Sequence, residues 1–336
     1  MKKILLSLGT IIFVGSIGVA ATAAFFNDTE TSTGNTFAAG ALDLRVDSTA
    51  HFNSMVCVDT DEDGMGDTWE EEPGFEAGPE HYPQPGDPCN GTWTESDLIA
   101  NAIEWRFFNF DDLKPGDEGE NTISLHVYDN NAWGCFLVDN VVDADNTCTE
   151  PESEDADDSS CNQAEPLAAE GELGAALTFD AWLDQGATPG FQNIQPDPNN
   201  LGQYINTNED STEGDNIFQE ETEGPLFWND ETVDEASEGP FDIREVLAAG
   251  FGLYCPNSDA TGDTDYESCH GLAQDGRMVG STTYYFGLAW NIPAETGNEI
   301  QTDSLVLDMT FEAAQHRNNP NFQCAQPEPV DEVTAP

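Results

Sequence analysis

Alternation of apolar and polar residues is the main pattern along this chain. Apolar residues occupy every second position in the segments Leu42–Val46, Ile123–Val127, Leu177–Leu183, Tyr284–Trp290 and Leu305–Phe311. This period-two pattern predicts strands that bury one face. Helix signals are few: Phe241–Gly250 has helical spacing, with Asp242 as a candidate N-cap and Gly250 as a stop, and Ser96–Ile103 is a weaker candidate. The pattern therefore predicts an all-β fold with one or two short helices.

The spacing of the predicted strands favours one domain, a two-sheet sandwich over residues 25–325. Long acidic loops interrupt it, and we predict insertions at 57–89, at about 143–170 and at about 206–240. The segments Glu150–Asp158, Asn208–Glu223 and Asp230–Glu238 have few apolar residues and are expected to be solvated loops. Residues 326–336 are rich in proline and acid, which predicts a disordered tail.

The first residues have the pattern of an export signal. Lys2 and Lys3 precede an apolar run from Ile4 to about Ala21, and small residues follow. A charged start, a short apolar core and an A-x-A-like exit predict a signal peptide over residues 1–24, cleaved after Ala23 or Ala24. The alternative is a retained membrane anchor, for which the run is at the short end. With cleavage, the mature chain begins near Phe25, is exported and has no membrane association.

Negative charge sets the conditions under which this chain folds. The formal net charge is −58, and loss of Lys2 and Lys3 makes the mature chain −60. Such a field excludes nucleic acid and anionic membrane as partners and attracts cations. Repulsion within the chain destabilises a compact state unless salt or bound divalent cations screen it. A halophilic source and a calcium-loaded surface protein both fit this composition.

One acidic stretch matches a calcium loop. Residues 59–70 fit the pattern D-x-D-x-D-G-x5-E, in which carboxylates at fixed spacing surround the ion and a glycine makes the sharp turn. The predicted Ca²⁺ ligands are Asp59, Asp61, Asp63, Met65 through its carbonyl, Asp67 and Glu70. Val56 to Val58 before the loop has the pattern of a strand, so we expect no paired helix-loop-helix. The loop is similar to the isolated calcium loops of thrombospondin-type and dockerin-like modules.

The cysteines indicate an oxidising compartment. Eight cysteines follow the signal segment: Cys57, Cys89, Cys135, Cys148, Cys161, Cys255, Cys269 and Cys324. An even number on an exported chain predicts disulfides, although many pairings are possible and the sequence does not choose among them. Proximity favours Cys57–Cys89, Cys148–Cys161 and Cys255–Cys269, which leaves Cys135 with Cys324.

Three blocks resemble one family. Phe26–Thr29 leading to Thr36–Leu44, Leu113–Asp117 with Thr122–Val127, and Gly297–Asn298 with Leu305–Gln315 resemble TasA and camelysin-like proteins. The resemblance implies a jelly-roll sandwich, export by a dedicated signal peptidase, and a structural subunit of extracellular matrix or cell-surface fibres. It also implies homopolymers formed by donation of an N-terminal strand. The side chains expected in that strand are Phe25, Phe26, Phe37, Leu42 and Leu44.

Two rival functions remain open. Camelysins have been classed as metalloproteases, but the histidines show no His-Glu-x-x-His spacing and the chain has no nucleophile elbow or P-loop. We therefore predict a protein that is not an enzyme. The second rival is a monomeric calcium-dependent adhesin or carbohydrate binder. The aromatic residues Trp105, Phe107, Phe108, Phe110 and Trp133 could line its binding face, although a buried core is the favoured interpretation.

Overall fold

Strands make up most of the regular structure of this chain. The computed structural model describes residues 30–32, 35–39, 44–98, 105–110, 112–128, 130–155, 158, 161, 171–191, 194–196, 204–206, 210–254, 270–317 and 319–324. In chain order the strands are β1 (Glu30–Ser32), β2 (Asn35–Ala39), β3 (Leu44–Phe52), β4 (Met55–Val58), β5 (Thr68–Glu71), β6 (Trp93–Ser96), β7 (Glu118–Val127), β8 (Ala132–Asp145), β9 (Thr178–Leu183), β10 (Ile194–Pro196), β11 (Tyr204–Asn206), β12 (Trp228–Thr232), β13 (Phe241–Asp242), β14 (Thr282–Asn291) and β15 (Asp303–Gln315). The helices are α1 (Glu150–Ser153), α2 (Leu173–Ala176), α3 (Val233–Ala236) and α4 (Ile243–Tyr254). The predicted all-β class is confirmed.

Two sheets contain nearly all of these strands. The five-stranded sheet has the order β1-β2-β15-β8-β13. The eight-stranded sheet has the order β12-β9-β14-β7-β3-β4-β5, with β6 also paired to β3. Among the described pairings only that of β2 with β15 is parallel, and the others are antiparallel. This arrangement is a β-sandwich, and the jelly-roll topology remains a prediction.

Aromatic side chains join the two sheets through the core. Phe311 of β15 packs on Phe136 of β8, with ring centroids 4.7 Å apart, and lies 6.5 Å from Phe286 of β14 in the opposite sheet. Phe136 also packs on Trp228 of β12 at 5.2 Å. These contacts place the core between β15 and β8 on one side and β14 and β12 on the other.

The aromatic stretch considered as a binding face belongs largely to this core. Trp105, Phe107 and Trp133 are buried, while Phe108 and Phe110 are half-buried and pack against the core cluster. The core interpretation is therefore confirmed for Trp105 and Phe107. Trp133 is buried outside the core cluster, against His316 and Arg244.

The strands predicted from alternation are present where the chain is described. In β3, alternate residues are buried from Leu44 to Phe52. β15 buries Met309 and Phe311 in the same way, but Leu305 and Leu307 are only half-buried because they line a groove of about 1030 Å³. The sequence pattern therefore identifies the inward face of β15 correctly and overstates its burial near the start.

Helix α4 begins as predicted and extends further than predicted. Asp242 Oδ1 accepts a hydrogen bond from Arg244 N at 3.0 Å, which supports the first turn. The predicted stop at Gly250 is wrong, since the helix continues to Tyr254 and buries Gly250 and Phe251 together. Gly250 therefore lies inside the helix and does not end it. Of the weaker helix candidate, Ser96 ends β6 and residues 99–103 lie outside the described part.

The acidic segments contain more regular structure than solvated loops. The insertion predicted at about 143–170 begins inside β8, and Glu152 of α1 is fully buried. The insertion predicted at about 206–240 includes β12 and α3, whose Val233 and Ala236 are buried. These two apolar residues lie three positions apart on one helix face. Two apolar residues in an acidic segment are too few to predict a helix from the sequence.

The described helices are all short. The longest, α4, has 12 residues, and no helix in the described ranges has the length and apolar character needed to cross a bilayer. The predicted signal segment 1–24 and the tail 326–336 lie outside the described residues.

Candidate functional site

The predicted calcium loop connects two paired strands. β4 and β5 are antiparallel neighbours on either side of it, with Val58 opposite Thr68. The expected absence of a flanking helix pair in this part of the chain is confirmed. Cys57 in β4 is bonded to Cys89, so a disulfide fastens the hairpin from which the loop projects.

The backbone of the loop turns around the Asp59 carboxylate. Asp59 Oδ2 accepts a hydrogen bond from Gly64 N at 2.7 Å, and Asp59 Oδ1 accepts one from Asp63 N at 3.3 Å. Gly64 has φ +93°, and a Cβ there would lie 2.9 Å from Thr94 Oγ1. Only glycine combines this φ with such close contact, which is the role that the calcium-loop pattern assigns to it.

A second segment holds the loop from the side. Gly66 N donates to Thr92 O at 2.8 Å, and Thr94 N donates to Gly64 O at 2.9 Å. A Cβ at Gly66 would lie 2.6 Å from Cys57 Sγ. The loop is therefore packed against the Cys57–Cys89 disulfide, and its backbone conformation is fixed by protein contacts alone.

Three of the predicted ligands converge. One carboxylate oxygen each from Asp59, Asp61 and Asp67 lies within 4.8 Å of the other two. Thr68 and Thr60 donate hydrogen bonds to Asp67 and hold the pKa of its carboxyl below the usual value, in that order of effect. Asp67 is consequently a carboxylate at neutral pH, as a cation ligand must be.

Asp63 and Glu70 are not part of this converging group, and the third remaining ligand, Met65, was predicted through its carbonyl. Asp63 Oδ1 accepts a hydrogen bond from Met65 N at 2.9 Å, so Asp63 supports the turn. Glu70 lies on β5 opposite Val56 with its side chain exposed. An exposed glutamate can rotate toward an ion. The donors are all hard oxygens, which suit Ca²⁺ and not zinc.

The predicted donor strand lies partly at the edge of the five-stranded sheet. Phe37 is in β2, in register with Phe311 of β15 on one side and Glu30 of β1 on the other. Leu44 begins β3 in the opposite sheet, is buried and pairs with Val127. Phe25, Phe26 and Leu42 lie outside the described residues.

The described cysteines form three disulfides. Cys57–Cys89, Cys135–Cys324 and Cys148–Cys161 are bonded. The first and the third are pairs that proximity in sequence favours, and Cys135–Cys324 is the pair that this pairing leaves over. Cys255 and Cys269 lie outside the described residues. Cys135 in β8 is thereby tied to the segment that follows β15.

Two of the described histidines on the eight-stranded sheet lie beside acids. His51 Nδ1 lies 2.8 Å from Glu72, and His126 lies between Asp47, at 2.5 Å from Nε2, and Glu95, at 3.5 Å from Nδ1. Among the described residues, none of the groups whose ligand atoms could hold a metal contains a histidine. The metallopeptidase alternative stays a prediction.

Sequence reasoning did not identify β15 as the partner of the N-terminal segment. The available signal was indirect, because the first and last blocks of the family resemblance contain β2 and β15 respectively. Strand order cannot be deduced from alternation alone, since alternation reports one buried face and not the neighbour.

Comparison with known proteins adds no family to this geometry. No protein-family model and no curated protein matches the chain, so the resemblance to TasA and camelysin-like proteins rests on the three motif blocks.

Proposed function

We propose that this chain is an exported structural subunit of extracellular fibres or cell-surface matrix, assembled by exchange of its N-terminal strand between neighbouring copies. The observation that carries the proposal is the position of β2. It runs parallel to β15 over Met309–Ala313 at the edge of an otherwise antiparallel sheet, with only β1 outside it. In a single chain, β2 pairs with β15 of the same chain. In a fibre, β2 of a neighbouring copy pairs with that β15 instead.

Strand addition supplies the binding energy for such exchange. An open edge of β15 exposes backbone donors and acceptors, and an incoming β2 satisfies them with the same hydrogen bonds whichever chain it comes from. Exchange therefore costs little in contacts, and it is favoured when the subunits are concentrated.

The position of the disulfides fits a β2 that can leave its sheet while β15, the strand that accepts it, stays in place. Cys135–Cys324 fastens β8 to the segment after β15, while residues 30–39 contain no cysteine. The acceptor strands are thus locked, and the donor segment is held by non-covalent bonds alone. The three disulfides also fit an exported protein.

The linker limits the geometry of the fibre. Ala39 ends β2 and Leu44 begins β3 in the other sheet, so the connection spans at most about 18 Å when extended. A donated β2 can reach only a subunit in direct contact. Leu44 is buried in its own sandwich, which sets the boundary of the exchanged segment before that residue.

Calcium and disulfides stabilise the subunit in this proposal. The loop at 59–70 offers carboxylates to Ca²⁺, and a bound ion lowers the repulsion within a mature chain of charge −60. Neighbouring copies repel each other for the same reason, so assembly requires calcium or high salt.

A proline in β2 tests strand exchange. Thr36 is paired with Thr310 of β15 and with Thr31 of β1, and Thr36→Pro removes a backbone donor from the centre of this ladder. In calcium, the secreted wild-type protein should form fibres visible by electron microscopy, while the Thr36→Pro protein should remain monomeric by light scattering with its near-UV circular dichroism retained.

Asp28→Pro, which adds the same residue before β1, is the matched control and should assemble as the wild type does. Fibres of equal yield from Thr36→Pro and wild type would mean that assembly uses another surface. A wild-type protein that remains monomeric in calcium would favour the adhesin alternative.

A further inference from the structure

A second group of acids lies on the five-stranded sheet, where β8 ends and β15 begins. Asp145, the last residue of β8, is in register with Asp303, the first residue of β15. Glu152 of α1 completes the group, and one carboxylate oxygen from each of the three lies within 4.8 Å of the others. The calcium loop is on the other sheet, so the two groups are separate.

Asp145 is buried, and one of its two carboxylate oxygens has no hydrogen-bond partner in the described part of the chain. Its side chain is 4% exposed, and Oδ2 has no hydrogen-bond partner among the described groups. The neighbour of Oδ1 is Thr302 Oγ1, at 3.5 Å. That hydroxyl has one hydrogen and two nearer acceptors, Thr147 O and Glu152 Oε1. Within the described residues, Asp145 Oδ2 is therefore a buried carboxylate oxygen without a partner, which is rare for a charged group.

Neighbouring carboxylates present further unpaired oxygens. Asp303 Oδ2 accepts hydrogen bonds from Glu172 N at 2.7 Å and Leu173 N at 3.1 Å. Asp303 Oδ1 and Glu172 Oε2 are buried without partners in the described structure. These unpaired oxygens lie among carboxylates, so a cation is the missing partner.

A disulfide positions a fourth carboxylate. Asp158 is 3% exposed, and its Oδ1 accepts a hydrogen bond from Cys161 N at 2.8 Å. An oxygen of Asp158 also lies within 4.8 Å of one of Asp145. Because Cys161 is bonded to Cys148, it has no thiolate to offer a metal, and the disulfide serves to hold Asp158 in place.

We propose that Asp145, Glu152 and Asp303, with Asp158 beside them, bind one divalent cation, and that this cation is Ca²⁺. Hard carboxylate oxygens select calcium or magnesium over transition metals. Magnesium retains several waters and uses one or two carboxylates, whereas calcium accepts a larger set of protein oxygens. The site does not depend on the loop at 59–70 or on fibre assembly.

Removal of two ligands tests this site in the full-length secreted protein. Asp145→Asn with Asp303→Asn keeps the shape of both side chains and removes both charges. Calorimetric titration with Ca²⁺ should show the loss of one tightly bound ion per chain, and calcium should raise the melting temperature less than it does in the wild type.

A matched control changes the same charge on the same strands. Asp139 of β8 is in register with Asp308 of β15, and Asp139→Asn with Asp308→Asn should keep the wild-type calcium stoichiometry. Equal losses in the two double variants would show that calcium binds diffusely to net charge, which overturns the site. An unchanged stoichiometry in Asp145→Asn with Asp303→Asn overturns it too.

Two further measurements separate the alternatives. The protein that carries Asp61→Ala and Glu70→Ala as well should lose a second ion. If it loses no more calcium than either double variant, both pairs of substitutions act on the same ion, which refutes the separate site proposed here. In chelator, the Asp145→Asn, Asp303→Asn protein should melt at or above the wild-type temperature, because repulsion is relieved. A lower melting temperature would show that these acids stabilise the fold without metal, against the proposal.

Discussion

Asp184 and Glu223 form a buried pair of carboxyl groups with a shared hydrogen bond. Both side chains are buried. Asp184 accepts hydrogen bonds from Gly214 N and Asn216 N. Burial raises the pKa of Asp184 to about 6 and that of Glu223 to about 8. The hydrogen bond between the two carboxyls holds the proton of Glu223. At neutral pH, Glu223 is therefore protonated in the folded chain.

The pair predicts a loss of stability as pH rises. Between the usual glutamate pKa of 4.5 and about 8, the folded chain keeps a proton on Glu223 that the unfolded chain has lost. The free energy of unfolding then falls with rising pH, by at most about 1.4 kcal/mol per pH unit from this group. Glu223→Gln, which keeps a donor toward Asp184, should flatten the fall measured by urea unfolding between pH 6 and 8.

Glu221→Gln is the control for this prediction, because it makes the same substitution at an exposed position two residues away. It should keep the wild-type slope. If the Glu223→Gln protein loses stability with pH as steeply as the wild type, the proton is not held at this pair.

The calcium loop predicts one site of modest affinity. Asp61 and Glu70 are exposed, and Asp59 also holds the turn through Gly64 N, so Asp61→Ala with Glu70→Ala removes ligands and leaves the turn. This variant should lose one calorimetric site with a dissociation constant of about 10⁻⁴–10⁻³ M. Glu62→Ala with Glu80→Ala, two exposed acids in the same insertion, should lose none. A site retained in the first variant would refute the ligand assignment.

From the sequence alone, ligands that are close together along the chain could be assigned to a site. Ligands that are far apart along the chain could not. The calcium loop was predictable because its ligands lie within twelve consecutive positions, 59–70, whose spacing reflects one turn of backbone. Asp145, Glu152 and Asp303 meet only because β8 and β15 pair. In a chain with 66 acids, nothing in their local sequence distinguishes them.

At the scale of the element, burial on one face was predictable and burial on two faces was not. β3 alternates between buried and half-buried residues, as its sequence indicates. The first seven residues of β8, from Ala132 to Val138, are all buried, because β8 lies between β15 and β13 and helix α4 contacts it. A strand covered on both faces has a continuous apolar run without a period of two, so this pattern did not identify β8.

Glycines in α4 provide an element-scale prediction. Gly250 and Gly252 lie inside the helix, and a Cβ on Gly250 would have its nearest contact at an ordinary 3.6 Å, to Leu272. Gly250→Ala should raise the free energy of unfolding by about 0.5–1 kcal/mol, since alanine loses less backbone entropy. Gly252→Ala, with open space around it, should do the same.

Gly276→Ala is the contrasting variant. Gly276 has φ +74°, and a Cβ there would lie 2.0 Å from Arg244 O. It should lower the free energy of unfolding by more than about 1 kcal/mol in the same denaturant titration. A stabilising effect at Gly276 or a destabilising one at Gly252 would contradict the described backbone.

At the scale of the molecule, pairing of the strands brings several carboxyl groups into buried positions close to other acids. Besides the carboxyls at the end of β8, Glu120 of β7 has a pKa raised to about 8, first by burial and then by repulsion from acids that include Glu72 and Asp184. Few basic residues are available to offset this, since the chain has 8 lysines and arginines against 66 acids. Cations from solution must therefore take the place of basic side chains.

Screening and site binding make different predictions for the whole chain. In chelator, raising sodium chloride from 0.1 M to 1 M shortens the Debye length from about 10 Å to about 3 Å. Self-repulsion in a mature chain of charge −60 weakens accordingly. The melting temperature should rise continuously with salt, and fibres should begin to form without calcium.

Calcium should act differently, because it binds defined carboxylates. Millimolar calcium changes the ionic strength little, yet it should raise the melting temperature in a saturable way through binding to the folded chain. Sucrose at equal osmolality is the control for sodium chloride, since it strengthens burial without screening charge. A melting temperature that stays flat in salt and rises only in calcium would show that bound ions, and not screening, offset the charge of this protein. A rise in sucrose equal to that in salt would mean that solvent exclusion, and not repulsion between carboxylates, controls its stability.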